Sequence, residues 1–447
     1  MPSCALCLGA DGRDRVWAWR WRRCGDMWEV AAVRWLLLAA AAFALGLLLG
    51  AALPPLLVPA ASAPPPALYA ASAGGGATSP GRQRLRPPSS TASSGTLPPH
   101  APASLIAATG SDGAVSFVAP PPGRRTVVED GVYWGAQVES SLPPGYGDAD
   151  AERWRRYARS APLARLEADG CGRTYNRLAV FADGERACCR YRQNIDQLQG
   201  EVFSYLLARE LGLPNLPPAT WQPVRARQPR WSRVRSQLAL AQWADGWPVV
   251  LTRFLPELRP AHIPPLLRGP ARRLHPPDAR AANATDLPEL AQWSDLLVFD
   301  FLTANLDRFI NNLYNLQWNP AMMEAPAHNL ARDSRTGLLV FLDNESGLLH
   351  GYRLLDKYGR FHADLLAALC VFRRRTADAV KRLAASGDVG AALERRFRRA
   401  GSAADGDDAE TNEVDALPPL PEKSVQILNE RLRLAADHIE ACERRYA

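Results

Sequence analysis

QWSDLLVFDFLTANLDRFINN, residues 292–312, decides how this chain is read. The stretch belongs to an apolar segment, 287–302, with Pro288 near its first turn, and that pattern predicts a helix. The helix then runs into Ala304–Asn312, which gathers a carboxylate, a guanidinium and three carboxamides. Asp307 is followed five residues later by Asn312. Phosphoryl-transfer enzymes use that spacing to offer a base to a substrate hydroxyl and a neutral oxygen to a divalent cation. The pair alone is weak, because Asn305 would equally suit a left-handed helix cap.

Downstream, VFLDNESGLLHGY, residues 340–352, reads as an apolar strand that ends in Asp343 and is followed by Gly347. An acidic residue at the end of a buried strand, after the first loop, is where a metal-holding aspartate is expected. An ordinary Asp-Asn turn is the plain alternative. The earlier half supplies a cation and its partner. CGRTYNRLAVFADGERACCRYR, residues 171–192, holds two strand-like runs around the turn ADGE. Arg190 closes the second run. GEVFSYLLARELGLP, residues 200–214, reads as an amphipathic helix, with Val202, Tyr205, Leu206 and Leu211 on one stripe and Glu201 at its start. Arg190 would then touch phosphates and Glu201 would fix Arg190, while the Gly170–Gly172 turn could cover phosphates with backbone N–H groups. Each residue also has a dull reading: a solvated strand end, a helix-dipole carboxylate, an ordinary turn.

The rest of the chain frames these motifs. Its 447 residues suffice for a two-lobed body. The net charge of +7 comes without a long basic block, and the tryptophans are scattered, so no nucleic-acid role is expected. Residues 1–34 form a basic tail before the uncharged run 35–53, long enough to cross a bilayer core. Basic flanks stay cytosolic, which predicts a membrane-anchored type II protein with a lumenal C-terminus. A cleaved signal is the rival, since VPAASA, residues 58–63, has the small-x-small pattern. Residues 54–125 are rich in Pro, Ala, Ser and Gly and read as a disordered stalk. A strand-rich lobe is expected over 126–258, a Pro/Arg-rich surface insertion over 259–283, and a mostly helical lobe over 284–447. The acidic loop 402–413 precedes a terminal helix from about Pro421.

Five cysteines follow the anchor, so one stays free. The pairing expected is Cys171 with Cys188 and Cys370 with Cys442, although spacing does not fix it. The sequon at Asn283 sits in the polar insertion and is expected to carry a glycan; the one at Asn344 overlaps the proposed metal site and is not.

Residues 127–447 resemble the four-jointed family of secretory-pathway kinases, the group that includes the Golgi casein kinase. The likeness is carried by DGVYWG, PPGY, CGRTYNRLAVFADGERACCRYR, QGEVFSYLLARELGL, QWSDLLVFDFLTANLDRFINNLYNLQW, VFLDNESGLLHGY and VFRRRTADAV. It implies a two-lobed atypical kinase-like α+β fold and a Golgi Ser/Thr kinase using ATP with Mn²⁺ or Mg²⁺. It further implies extracellular cadherin domains of the Fat and Dachsous type as substrates, in planar cell polarity and growth. The family's catalytic aspartate falls on Asp307, its metal-binding residues on Asp343 and Glu345, and its helix glutamate on Glu201. One departure stands out: Arg190 occupies the place where the wider family has lysine, and its forked, bulkier head is not equivalent. A secreted or shed pseudokinase that signals by binding is therefore the alternative. A glycosyltransferase shares the type II layout but would prefer Asp-x-Asp where this chain has Asp-Asn-Glu.

Overall fold

The computed structural model of the chain describes residues 126–172, 175–401 and 417–447. The expected tail, anchor and stalk, and the acidic loop 402–413, lie outside the described residues. Among the described residues no helix is long and apolar enough to cross a membrane.

The ordered chain opens with a hairpin of β1 (Val128–Glu129) and β2 (Tyr133–Trp134). Asp130 and Gly131 turn it, both at positive φ, as an Asp-Gly hairpin turn requires. The hairpin docks on the helical part rather than on the main sheet. Trp134 Nε1 donates to Ser294 Oγ at 3.1 Å, and Trp134 N to the Phe372 carbonyl at 3.0 Å. A Cβ at Gly131 would meet the Tyr446 carbonyl oxygen at 2.3 Å. The lobe boundary expected at residue 126 therefore moves: the first strands belong with the helices. Next come α1 (Ala136–Ser140) and α2 (Asp148–Ser160). The acidic first turn of α2 closes on itself through Asp150, which accepts from Gly147 N at 2.8 Å.

The main sheet takes β3 (Leu163–Glu167), β4 (Arg177–Phe181) and β5 (Arg186–Arg190) in succession. The β4–β5 turn is the expected Ala182–Glu185 segment, with Gly184 left-handed. Then α3 (Ile195–Glu210) leads to β6 (Ala219–Pro223), a 3₁₀ turn (Pro229–Val234), α4 (Arg235–Leu240) and β7 (Pro248–Arg253). The five strands are antiparallel, in the order β3-β4-β5-β7-β6. One face carries a core of Trp154, Phe181, Trp231, Val234 and Leu251. The period-two geometry of β5 sends its adjacent cysteines to opposite faces. Cys188 is bonded to Cys171, whereas Cys189 is a free thiol buried in that outer core, where burial pushes its pKa up.

Helix α3 differs from expectation in two ways. It starts at Ile195, where the Asn194 side chain accepts from Asp196 N at 3.1 Å, so Glu201 lies in the second turn and does not open the helix. It is also buried on every side from Leu198 to Arg209 rather than on one stripe. A helix covered by the sheet on one side and by other helices on the rest has no wet face. Phe397 stacks on its Phe203 at 5.1 Å and on Trp221 of β6 at 5.0 Å.

Residues 259–283 are not a surface insertion. They contain β8 (Leu258–His262), α5 (Pro265–Arg268) and α6 (Pro276–Ala281), and Ile263, Leu267, Leu274 and Ala279 are wholly buried. Prolines at 264, 265, 270, 276 and 277 break the stretch, so no single helix or strand pattern carries these anchors. The long helix α7 (Leu287–Thr303) and α8 (Phe309–Asn315) precede β9 (Pro326–Asp333) and β10 (Leu339–Phe341). With β8 these two form a three-stranded antiparallel sheet, order β10-β9-β8. The remainder is helical: α9 (Leu349–Arg353), α10 (Leu355–Ala367), α11 (Arg374–Ser386), α12 (Val389–Gly401) and α13 (Glu422–Tyr446). A disulfide between Cys370 and Cys442 ties the turn after α10 to α13.

Candidate active site

Helix α7 stops because Ala304 adopts the left-handed conformation, φ 51° and ψ 41°. Its N–H returns to the Phe301 carbonyl and that of Asn305 to the Asp300 carbonyl, each at 3.1 Å, closing the C-terminal turn. The buried Asn305 then organises the loop. Its Oδ1 accepts from Asp307 N at 3.0 Å and from Ser346 Oγ at 3.2 Å. Asp307 is presented at the loop's rim, half-buried.

Directly behind it, Arg308 is wholly buried. Its guanidinium bonds both Asp300 oxygens at 2.6–3.1 Å, the Leu342 carbonyl at 3.0 Å and Asn344 Oδ1 at 3.1 Å. One side chain thus joins α7, the Asp307 loop and the turn after β10. In that turn Asp343 has φ 49°, and Asn344 N donates to Glu201 Oε2 at 2.6 Å. Helix α3 can come this close because residue 200 is glycine. A Cβ there would stand 2.7 Å from the Glu345 carbonyl oxygen and 3.0 Å from that of Gly347.

Arg190, at the end of β5, reaches the same turn. Its Nη1 bonds Asp343 Oδ1 at 2.5 Å and Glu345 Oε2 at 2.8 Å, and its Nη2 lies 3.8 Å from Glu201 Oε2. Burial works against its charge, but Glu201, Asp343 and Glu345 outweigh burial and hold its pKa above the ordinary value. Burial pushes Glu201 up; Arg190 opposes the shift, while Asp343 and Glu345 add to it. Arg192 completes the cluster. Its Nε donates to Glu345 Oε2 at 2.7 Å and its Nη1 to Asn176 Oδ1 at 2.6 Å. Asn176 in turn donates to the Cys171 carbonyl at 2.7 Å, so the Arg192 and Asn176 side chains connect the glycine turn to the acidic turn.

These groups border one cleft of about 720 Å³. Gly170, Gly172, Arg190, Glu201, Asp307 and Asp343 all line it, as does the Cys171–Cys188 disulfide. Leu216, Ala219, Leu255 and Phe341 supply an apolar wall. Two candidates from the sequence are not brought there. Asn312 is buried in α8, where its Nδ2 donates to the Met322 and Ala325 carbonyls at 2.7 and 3.4 Å; its neighbour Asn311 lines the cleft instead. Neighbouring residues on a helix point about 100° apart, so a one-residue offset changes the face. Glu345 was expected at the metal, yet its buried carboxylate takes both Arg190 and Arg192 and does not line the cleft.

Arg192, Arg308, Asn176 and Asn311 were missed. Arg308 had a faint signal, a charge wedged between apolar runs. Arg192 had none, since an arginine after a strand is ordinary. The oxygen donors Asp307, Asp343 and Asn311 share the cleft wall and suit a hard divalent cation. At Gly172 a Cβ would meet nothing within 4 Å, and both glycines have positive φ, so the turn's backbone is open to a phosphate group.

A strand cation, a helix glutamate, a glycine turn and two aspartates surround one cleft, an arrangement of the kind phosphoryl transfer uses. The chain belongs to the four-jointed box family: residues 149–445 match the four-jointed box protein middle domain. It is 46% identical over 366 residues to the extracellular serine/threonine protein kinase four-jointed of Drosophila melanogaster, covering 71% of this chain and 61% of that protein. The chain thus spans about three-fifths of the fly relative's length. It is 41% identical over 361 residues to four-jointed box protein 1 of Homo sapiens, covering 77% and 80% of the two chains. Among solved structures it is similar to the Golgi casein kinase with Mn/ADP bound, at TM-score 0.41 and 13% identity, covering 66% of this chain and 77% of that one.

Proposed function

We propose that this chain is a Golgi-lumenal Ser/Thr protein kinase that moves phosphate from ATP to extracellular cadherin domains of the Fat and Dachsous type, and so regulates planar cell polarity and growth. The observation that carries the proposal is the shared cleft, where Asp307 and Asp343 meet Arg190 and Glu201 beside the Gly170–Gly172 turn. Asp307 accepts the proton of the attacking serine or threonine hydroxyl. Arg190 orients the phosphates, held by Glu201, Asp343 and Glu345. The apolar wall receives the adenine ring. Asp343 and Asn311 would hold Mn²⁺ or Mg²⁺, which when bound neutralises charge on the phosphates. The lumenal setting is supported by the two disulfides, the extracellular label of the fly relative, and the arginines before residues 35–53.

One observation favours a second reading, a pseudokinase-like ligand that acts without catalysis. Arg190 replaces a lysine and is itself engaged by Asp343 and Glu345. Radiolabelled ATP, Mn²⁺ and secreted cadherin-domain fragments, with wild type against Asp343→Ala, separate the two. Transfer that Asp343→Ala abolishes supports the kinase. Nucleotide binding without any transfer by wild type would favour the pseudokinase.

A further inference from the structure

We infer that the sheet lobe carries, away from the cleft, a binding site for sulfated polysaccharide built from Arg225, Arg227, Arg233 and Arg235. RARQPRWSRVR, residues 225–235, crosses from β6 into the 3₁₀ turn and α4. Its apolar members face inward: Trp231, Val234 and Leu238 are buried under β3. Arg227, Ser232, Arg233, Arg235 and Ser236 are exposed, and Arg225 is half-buried. Arg235 Nε donates to the Ala226 carbonyl at 3.1 Å, which folds the two ends of the stretch onto one surface. Arg230 is turned under the patch, donating to the Ala158 carbonyl at 2.5 Å.

Four arginines outside the described ion pairs fall within eleven residues here, whereas other exposed arginines outside those pairs, such as Arg259, Arg280 and Arg433, are scattered along the chain. No Asp or Glu occurs between Glu210 and Asp245. Asp245, the nearest along the chain, accepts from Ala226 N at 2.7 Å, and Glu167 on β3 is paired with Arg165. Arg153, Arg398 and Arg444 each sit beside a carboxylate three or four residues away on their own helix. Arg225, Arg227, Arg233 and Arg235 make no such pair among the described ion pairs. With Asp245 the one carboxylate beside it, the row of four guanidiniums keeps a net positive charge that attracts a polyanion, and each fork matches an oxyanion with two parallel bonds. Ser232 and Ser236 add hydroxyls suited to sugar.

Two disulfides mark a body matured in an oxidising compartment, where the available repeating polyanion is a sulfated glycan rather than nucleic acid. An acidic peptide fits less well. No large apolar side chain of 225–235 is exposed, Leu240 beyond it being the nearest along the chain, and peptide interfaces rely on buried apolar anchors. None of the four arginines lines the cleft, so the inference does not depend on the proposed kinase activity.

The test uses the full-length protein and a fluorescent heparin dodecasaccharide, with chemically desulfated heparin of the same length and a polyglutamate peptide as competitors. Wild type is compared with a patch triple, Arg227→Ser, Arg233→Ser and Arg235→Ser. The control triple, Arg153→Ser, Arg398→Ser and Arg444→Ser, has the same net charge. The expected result is at least tenfold weaker heparin binding by the patch triple at unchanged melting temperature, with the control triple close to wild type. The slope of log affinity against log salt should fall by about three, near one per lost charge contact. Equal losses in the two triples, or competition by polyglutamate as strong as by heparin, would overturn the assignment.

Discussion

Replacing Arg308 tests whether the Asp307 loop is held by a buried charge or merely decorated by one. The guanidinium is wholly buried, the Asp300 side chain is 4% exposed, and their contacts run from 2.6 to 3.1 Å. In Arg308→Met the carboxylate of Asp300 loses its counter-ion in a site that burial already makes unfavourable for a charge, as its raised pKa indicates. Breaking a buried pair from one side costs about 3–5 kcal/mol. At about 2 °C per kcal/mol for a body of this size, the melting temperature should drop by about 6–10 °C. The double variant Asp300→Leu with Arg308→Met removes both charges, and it should recover most of that loss because apolar replacement of a buried pair is close to neutral. Urea unfolding of the four proteins gives the coupling energy, expected to be at least as large as the loss in Arg308→Met alone, about 3 kcal/mol or more. Phosphoryl transfer should stay depressed in the double variant, since Leu342 and Asn344 still lack the donor that fixes their turn. A single Arg308→Met that costs under about 1 kcal/mol, or strictly additive losses, would refute the reasoning.

Asp343→Asn should lose most transfer while the protein still folds, whereas Asp307→Ala should lower kcat more than ATP affinity; single-turnover kinetics with a nucleotide-binding titration separate the two. Asn283 is exposed and Asn344 is buried under Arg308, so peptide mapping with and without glycosidase should find sugar on the first and none on the second. His362 is buried with no partner for its Nε2, and burial pushes its pKa down to about 3. The unfolded chain then binds a proton near pH 6.5 that the folded chain refuses, so stability is full above that pH and falls as pH drops toward the folded value. Between pH 7 and 5 this residue alone should remove about 2 kcal/mol, and His362→Gln should flatten that loss in urea unfolding at the two pH values.

How much could be read beforehand depended on how far each feature was local. The β4–β5 hairpin, α7 and the terminal helix followed from period and punctuation. Asp307, Asp343, Arg190 and Glu201 line one cleft because a strand end or helix turn fixes where such side chains emerge. Asn312 and Glu345 were misplaced because the choice between adjacent residues depends on tertiary packing: which side of α8 meets the cleft, and which carboxylate two arginines claim. Residues 259–283 were misread because prolines break the stretch into short pieces while Ile263, Leu267, Leu274 and Ala279 are buried in the core.

Helix α3 carries a consequence for control. Many phosphotransferases of this general plan switch off by swinging the glutamate-bearing helix outward, which breaks its pair with the strand cation. Here that helix is enclosed along its length, Phe397 wedges it from behind, and the missing side chain at Gly200 seats it against the Glu345 carbonyl. A displaced position would expose a dozen core residues to water, far beyond what a binding partner or a single phosphate could repay. On the proposed kinase reading, the burial of this helix and its seat at Gly200 favour a site assembled when the chain folds. A throttle on a kinase built this way would act on supply: which substrate passes through its compartment, for how long, and with how much nucleotide.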